Sequence, residues 1–226
     1  MSTTRAVTEP TPAASSFGPK LGNIGVFVAR RARFLQETRS RSATAAMLAH
    51  LRANVGREPG ADARVWSLTV DGVPGEPRGD GPTPEERAAH VALTLYAVHQ
   101  QSRPIGMHQP GVGLGRAVAR LDHARGGGDA EHVSPVRRRF DAIVTSDDIA
   151  EVVHHLRGLV TQLRSDGIGL DYGMLADDLD QLQRRGGADA VRRRWARQLY
   201  RLEPDAGAAT DVASTTPTDL TTEEQQ

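Results

Sequence analysis

The sequence of 226 residues contains no cysteine, a single lysine (Lys20), and only two Trp, three Tyr and four Phe. Without cysteine there is no disulfide frame, thiolate nucleophile, iron–sulfur cluster or Cys-ligated zinc site, which fits a reducing, cytoplasmic setting. Its longest apolar runs are a few residues, against the roughly 20 that a membrane-spanning helix needs, and the N-terminus lacks the charged-then-apolar layout of a secretory signal. Net charge is also missing: 28 basic residues meet 28 acidic ones. That balance hides an uneven distribution. Residues 203–226 hold six acids and no base, and Met1 to Pro19 hold only Arg5 and Glu9, so residues 20–202 carry 27 bases against 21 acids, a net of +6. The part rich in apolar periodicity is the basic part.

Both ends are poor in apolar residues and rich in Thr, Ser, Ala and Pro. They are too polar to offset their ordering entropy by burial, so residues 1–19 and 203–226 are expected to be disordered tails flanking one helical domain, 20–202. Within it the apolar period is helical nearly throughout. Helices are expected from about Asn23 to Glu37 and Ser42 to Asn54, the latter with Ala46, Leu48 and Leu51 inward. A Gly/Pro-rich connection, 56–82, follows; within it Val65 to Val70 reads as a short strand or as a loop pinned by Trp66. Thr83, Pro84 and Glu86 form a capping-box start for a helix burying Val91, Leu95 and Val98. Gly106 to Gly115 leads into a helix from Arg116 to His123, and Ser134 with Pro135 starts one carrying Val136, Phe140 and Ile143. Ser146 is expected to cap the next helix, with Asp147 and Asp148 in its first turn and Gly167 at its end. Further helices run from Asp171 to Leu182 and, past Gly186 and Gly187, through Val191, Trp195, Leu199 and Leu202. The expectation is an all-α bundle of six or more helices in a single domain.

No catalytic constellation is legible. Gly111, Gly113 and Gly115 superficially resemble a phosphate loop, but no strand precedes them and the P-loop lysine has no counterpart. A weaker version remains open, in which backbone N–H groups at a helix start, reinforced by Arg116, hold an anion. His154 and His155 point about 100° apart on a helix and do not chelate. Asp177, Asp178 and Asp180 beside Arg184 and Arg185 read as a solvated, salt-bridged face rather than a magnesium site. No cofactor, metal or catalytic residue is expected.

Arginine is the abundant chemistry, and its arrangement is informative. Arg116 and Arg120 are four apart, Arg157 and Arg164 seven apart, and Arg193 and Arg197 four apart, so each pair shares a helix face at a spacing that follows a phosphate backbone. Arg137 to Arg139 and Arg192 to Arg194 wrap their helices, so some members point at a ligand and others bridge acids. Most of the eight aromatics between residues 20 and 202 fall on buried stripes. Base stacking needs exposed rings, so any nucleic-acid contact is expected to be to phosphate, sequence-indifferent and salt-dependent.

Several segments in order resemble the CasB family, the small subunit of the type I-E CRISPR surveillance complex, Cascade. They are Met107-His-Gln-Pro-Gly-Val-Gly-Leu-Gly-Arg-Ala117, Arg138-Arg-Phe with Thr145-Ser-Asp-Asp148, His154-His-Leu-Arg-Gly-Leu-Val160, Leu170-Asp-Tyr172 with Leu175 and Leu179, and Arg192-Arg-Arg-Trp195 before Tyr200. The resemblance implies a non-enzymatic helical subunit, present in two copies, beside the guide-RNA-binding backbone subunit and the large subunit. Its basic surface is expected to contact CRISPR RNA and target DNA and to steady the R-loop. Carried onto this sequence, the matching bases are Arg116, Arg138, Arg139 and Arg157. Arg87, Arg103, Arg184 and Arg185 lie where relatives tend to carry bases, and Arg120 and Arg164 complete the helical pairs. Gly158 stands where some members place a second base. The competing expectation is a helical scaffold whose arginines contact only protein partners.

Overall fold

The structure, a computed structural model, describes residues 20–77, 79–127 and 133–200. The two expected tails, Leu202 and Arg78 lie outside the described residues. Nine helices are present among the described residues: α1 (Asn23–Glu37), α2 (Ser42–Ala53), α3 (Ala63–Thr69), α4 (Pro84–Gln100), α5 (Leu114–Ala124), α6 (Pro135–Thr145), α7 (Ile149–Asp166), α8 (Tyr172–Leu182) and α9 (Gly187–Tyr200). One hydrophobic cluster draws side chains from all nine, as the all-α expectation requires. The most extensive pairings are α1 on α8, α5 on α9 and α4 on α8, with α7 covering α4 and α6.

Local chemistry sets the helix ends. Thr83 Oγ1 accepts from Glu86 N at 3.1 Å while Glu86 Oε2 accepts from Thr83 N at 2.7 Å, closing the expected capping box of α4. Ser134 accepts from Arg137 N at the start of α6. At α7 the structure departs from the expected cap. Asp148 accepts from Ala150 N and α7 begins at Ile149, while Ser146 ends α6, donating to Ala142 O at 2.6 Å. Ser146 is buried, and its hydroxyl reaches the last turn of α6 instead of the first turn of α7. Gly167 at φ 70° stops α7 in the left-handed conformation glycine adopts freely.

Two further corrections concern the first third of the chain. Val65 to Val70 is neither strand nor loop but lies mainly in α3, because Asp62 accepts from Arg64 N as an N-cap and the inward residues Val65, Leu68 and Thr69 fall at helical spacing. Trp66 faces outward and is about half exposed. Ala46, expected inward, is exposed; Thr44, Leu48 and Leu51 form the buried stripe of α2. α5 also starts two residues earlier than expected, so Gly115 is helical.

The segments preceding α5 and α8 are clipped together. Gln109 N donates to Leu170 O at 3.1 Å, Leu170 N to Met107 O at 3.0 Å and Asp171 N to Val112 O at 2.8 Å. Beneath the clip Tyr172 is fully buried, its hydroxyl 2.9 Å from His99 Nδ1 and its ring edge-on to Tyr96. Gln100 fixes the loop after α4, donating to Arg103 O and Ile105 O and accepting from Met107 N. This loop carries Arg103.

Candidate nucleic-acid interface

The ten arginines singled out from the sequence separate into groups. Four lie on or against α7, Arg139 and Arg103 flanking the helix at Gly158 and Gly167 on either side of Arg157 and Arg164. Arg157 is exposed at mid-helix, and Arg164, seven residues on, lies two turns further, a rise of about 10.5 Å. Arg164 Nη1 donates to Gln101 Oε1 at 2.9 Å. Arg103 reaches the same end of the helix, its guanidinium packed against Gly167. Both arginines repel a proton on His99, which burial already holds down at about 4.

Arg139 reaches α7 from α6, on the flank opposite Arg103. Its guanidinium covers Gly158 so closely that any Cβ there would run into it. A base is therefore present beside Arg157 although Gly158 has no side chain: α6 supplies it across the helix interface. Arg138, one residue earlier, is exposed on α6. Among the described residues no carboxylate lies within ion-pair range of Arg103, Arg138, Arg139, Arg157 or Arg164.

The remaining residues behave differently. Arg184 is held between Glu85 at 2.6 Å and Asp180 at 2.9 Å. Arg87 lies 3.5 Å from Glu58. Both sit near the start of α4, about 20 Å along that helix from Gln100, after which the loop carrying Arg103 begins. Arg185 is exposed just past α8. Arg116 and Arg120 are half-buried on α5 and already engaged in interactions of their own.

The glycine-flanked start of α5 does not offer an anion site. Gly111 N donates to Asp171 Oδ2 at 2.7 Å and Gly115 N to Gln198 Oε1 at 3.1 Å, so these backbone donors are spent inside the fold. The glycines serve close packing: a Cβ on Gly115 would collide with the backbone of α9 at Trp195 and Leu199.

The acidic trio is also consumed structurally. Asp177 accepts from Gly22 N at 2.8 Å and Gly25 N at 2.7 Å, capping α1 from α8. Asp178 is buried, not solvated; it binds Arg194 and accepts from the Trp195 indole at 2.5 Å. Burial pushes its carboxyl up to about 6 against the pull of those two donors. Asp180 pairs with Arg184. Among the described residues no cluster of three His, Asp or Glu side chains forms a metal site, and no helix is long and apolar enough to cross a membrane. Of the Arg192–Arg194 run, Arg192 and Arg194 bridge Asp147 and Asp178, leaving Arg193 exposed. Five of the eight aromatics between residues 20 and 202 are buried; Phe34, Trp66 and Tyr200 are exposed. The cross-helix placement of Arg139 was not legible in the sequence, since neither residue type nor spacing announces it.

The molecule is thus an all-α bundle in which arginines line and flank α7, while Asp177 and Asp178 of α8 tie helices together. The family model for the CRISPR-associated protein Cse2 matches residues 47–200, and the chain belongs to that family. CasB from Thermobifida fusca is similar, with 37% identity, covering 80% of this chain and 100% of that one at a TM-score of 0.65. A Cse2-family CRISPR-associated protein from Thermus thermophilus is 25% identical, covering 76% of this chain and 97% of that one at a TM-score of 0.56. Among curated proteins nothing matches.

Proposed function

We propose that this chain is the non-catalytic small subunit of a type I-E Cascade, binding nucleic-acid backbones without reading their sequence and steadying the R-loop. It would work in the cytoplasm, beside a second copy of itself, the guide-RNA-binding backbone subunit and the large subunit. The observation that carries this reading is α7, which Arg157 and Arg164 line on one face and Arg139 and Arg103 flank from two other segments, all four without a described carboxylate partner. The rise from Arg157 to Arg164 spans about three phosphates of one strand, which repeat every 3.4 Å along the duplex axis. R-loop exchange is nearly balanced in base-pairing energy, so a few backbone contacts can tip it. Phosphate contacts position without specifying, in keeping with the shortage of exposed aromatic platforms.

The test is a salt titration of DNA binding with Arg157→Ala/Arg164→Ala. Loss of two phosphate contacts lowers the slope of log K against log salt by about 1.8 for duplex DNA and about 1.4 for a single strand. Unchanged affinity and slope would refute the assignment. A wild-type chain that shifts neither single- nor double-stranded DNA at low salt would instead favour a scaffold whose arginines meet only protein partners.

A further inference from the structure

The acids missing from the arginine surface lie elsewhere in the same chain. Residues 203–226 carry six acids and no base. The family match stops at Tyr200, and the Thermobifida fusca chain is covered completely by 80% of this one, so this acidic stretch is an addition to the shared fold. Its root is defined. Tyr200, at the end of α9, is 72% exposed, and the Arg137 guanidinium of α6 stands 5.2 Å from its ring centroid. α9 therefore ends beside α6, where Arg138 and Arg139 follow Arg137. Arg193 and Arg197 lie exposed on α9, seven and three residues before Tyr200 and so on its face of the helix. Neither has a carboxylate partner among the described residues.

Reach permits the contact. At full extension Glu203 comes within about 10 Å of Tyr200 and Asp211 within about 40 Å, whereas α7 is about 27 Å long. A tethered segment of this length acts at an effective concentration on the order of millimolar, so even a weak charge-driven contact is populated.

We propose that the segment from Glu203 to Glu224 docks on the arginines of α6, α7 and α9, as an intramolecular occupant of the surface that takes nucleic-acid phosphate. Competition with phosphate rests on the reading given under Proposed function; docking itself does not. Because the chain has no cysteine, Ser214→Cys gives one attachment point for a nitroxide in the full-length protein. The expected result, with no nucleic acid present, is loss of amide NMR signal in α6, α7 and α9. The signal should return in 1 M salt, where the Debye length falls to about 3 Å, and in a full-length variant with all six acids changed to amides (E203Q, D205N, D211N, D219N, E223Q, E224Q). No broadening there, or broadening that survives both treatments, overturns docking. In a low-salt binding assay the amide variant should hold single-stranded DNA about three- to tenfold more tightly than the native chain. Docking with equal DNA affinities overturns competition. If no variant binds DNA, the phosphate reading fails while the nitroxide result still decides docking.

Discussion

Replacing Gly115 by alanine tests the close contact of α5 on α9. Gly115 sits in the first turn of α5, where α5 crosses α9. A Cβ at this position would lie inside the van der Waals sphere of the Trp195 carbonyl oxygen, 2.8 Å from Gln198 Cβ and 3.0 Å from Leu199 N. Two of these three neighbours are backbone, so no rotamer change relieves the clash. The two helices must separate, and the separation disturbs Trp195, which is fully buried and joined to Asp178 through its indole. It also lengthens the 3.1 Å bond from Gly115 N to Gln198. Overpacking of a core typically costs about 1–3 kcal/mol, and weakening a buried hydrogen bond adds about 1 kcal/mol. The alanine itself has better helix propensity by about 1 kcal/mol, leaving a net loss of about 1–3 kcal/mol. For a chain of this size that lowers the melting temperature by roughly 3–10 °C. Differential scanning calorimetry, supported by urea unfolding at fixed pH, measures both quantities. A melting temperature equal to or above that of the native chain would refute the close-packing account of this glycine.

Gly158→Ala should separate stability from binding. The atom in its way is the far end of the Arg139 side chain, which swings aside cheaply, while alanine in mid-helix gains about 0.5–1 kcal/mol; a small rise in melting temperature with weaker DNA binding is expected, and unchanged binding would remove Arg139 from the interface. Asp177→Ala strips two N–H groups at the start of α1 of their acceptor and should cost about 1–2 kcal/mol, read as a lower urea midpoint; a midpoint within error of the native one would rule the cross-helix cap out. The pH dependence follows from His99, held at about 4 by burial. Its folded value lies below the unfolded 6.5, so the unfolded chain binds the extra proton and this contribution, about 3 kcal/mol, is present above pH 6.5 and lost as pH falls towards 4. His90 and His108, also lowered by burial, act in the same sense, whereas the raised Asp178 opposes them, its contribution disappearing as pH rises from about 4 to 6. Comparing His99→Asn with the native chain isolates one term: the variant should lose about 2–3 kcal/mol less between pH 7 and 4.5, and parallel stability curves would contradict the assignment.

Helix existence was readable wherever a cap and a 3.6-residue period coincided, as at Thr83–Glu86 or in the apolar stripe of α7. It failed in two kinds of place. Val65–Val70 is too short for its period to show, and Gly and Pro around it masked the cap at Asp62. At Ser146–Asp148 three adjacent residues are all competent caps, and tertiary burial of Ser146 decided among them. For the interface, Arg157 and Arg164 were legible because one helix fixes their spacing. Which arginines meet acids was not, because Glu85 and Arg184 are 99 residues apart in sequence yet 2.6 Å apart in space. The glycines before α5 misled for a related reason: partners such as Asp171 and Gln198 come from distant helices.

The cap that Asp177 places on α1 bears on where this protein can be cut. The family match begins at residue 47, yet α1, which ends at Glu37, makes one of the most extensive helix pairings in the molecule through α8. Trimming to the matched boundary would bare the α8 flank at Gly173, which packs against Gly25 and Ala29, and leave a half-buried carboxylate without its two amide donors. The span matched by the family model is therefore shorter than the folded unit, and expression boundaries should be drawn upstream of Lys20.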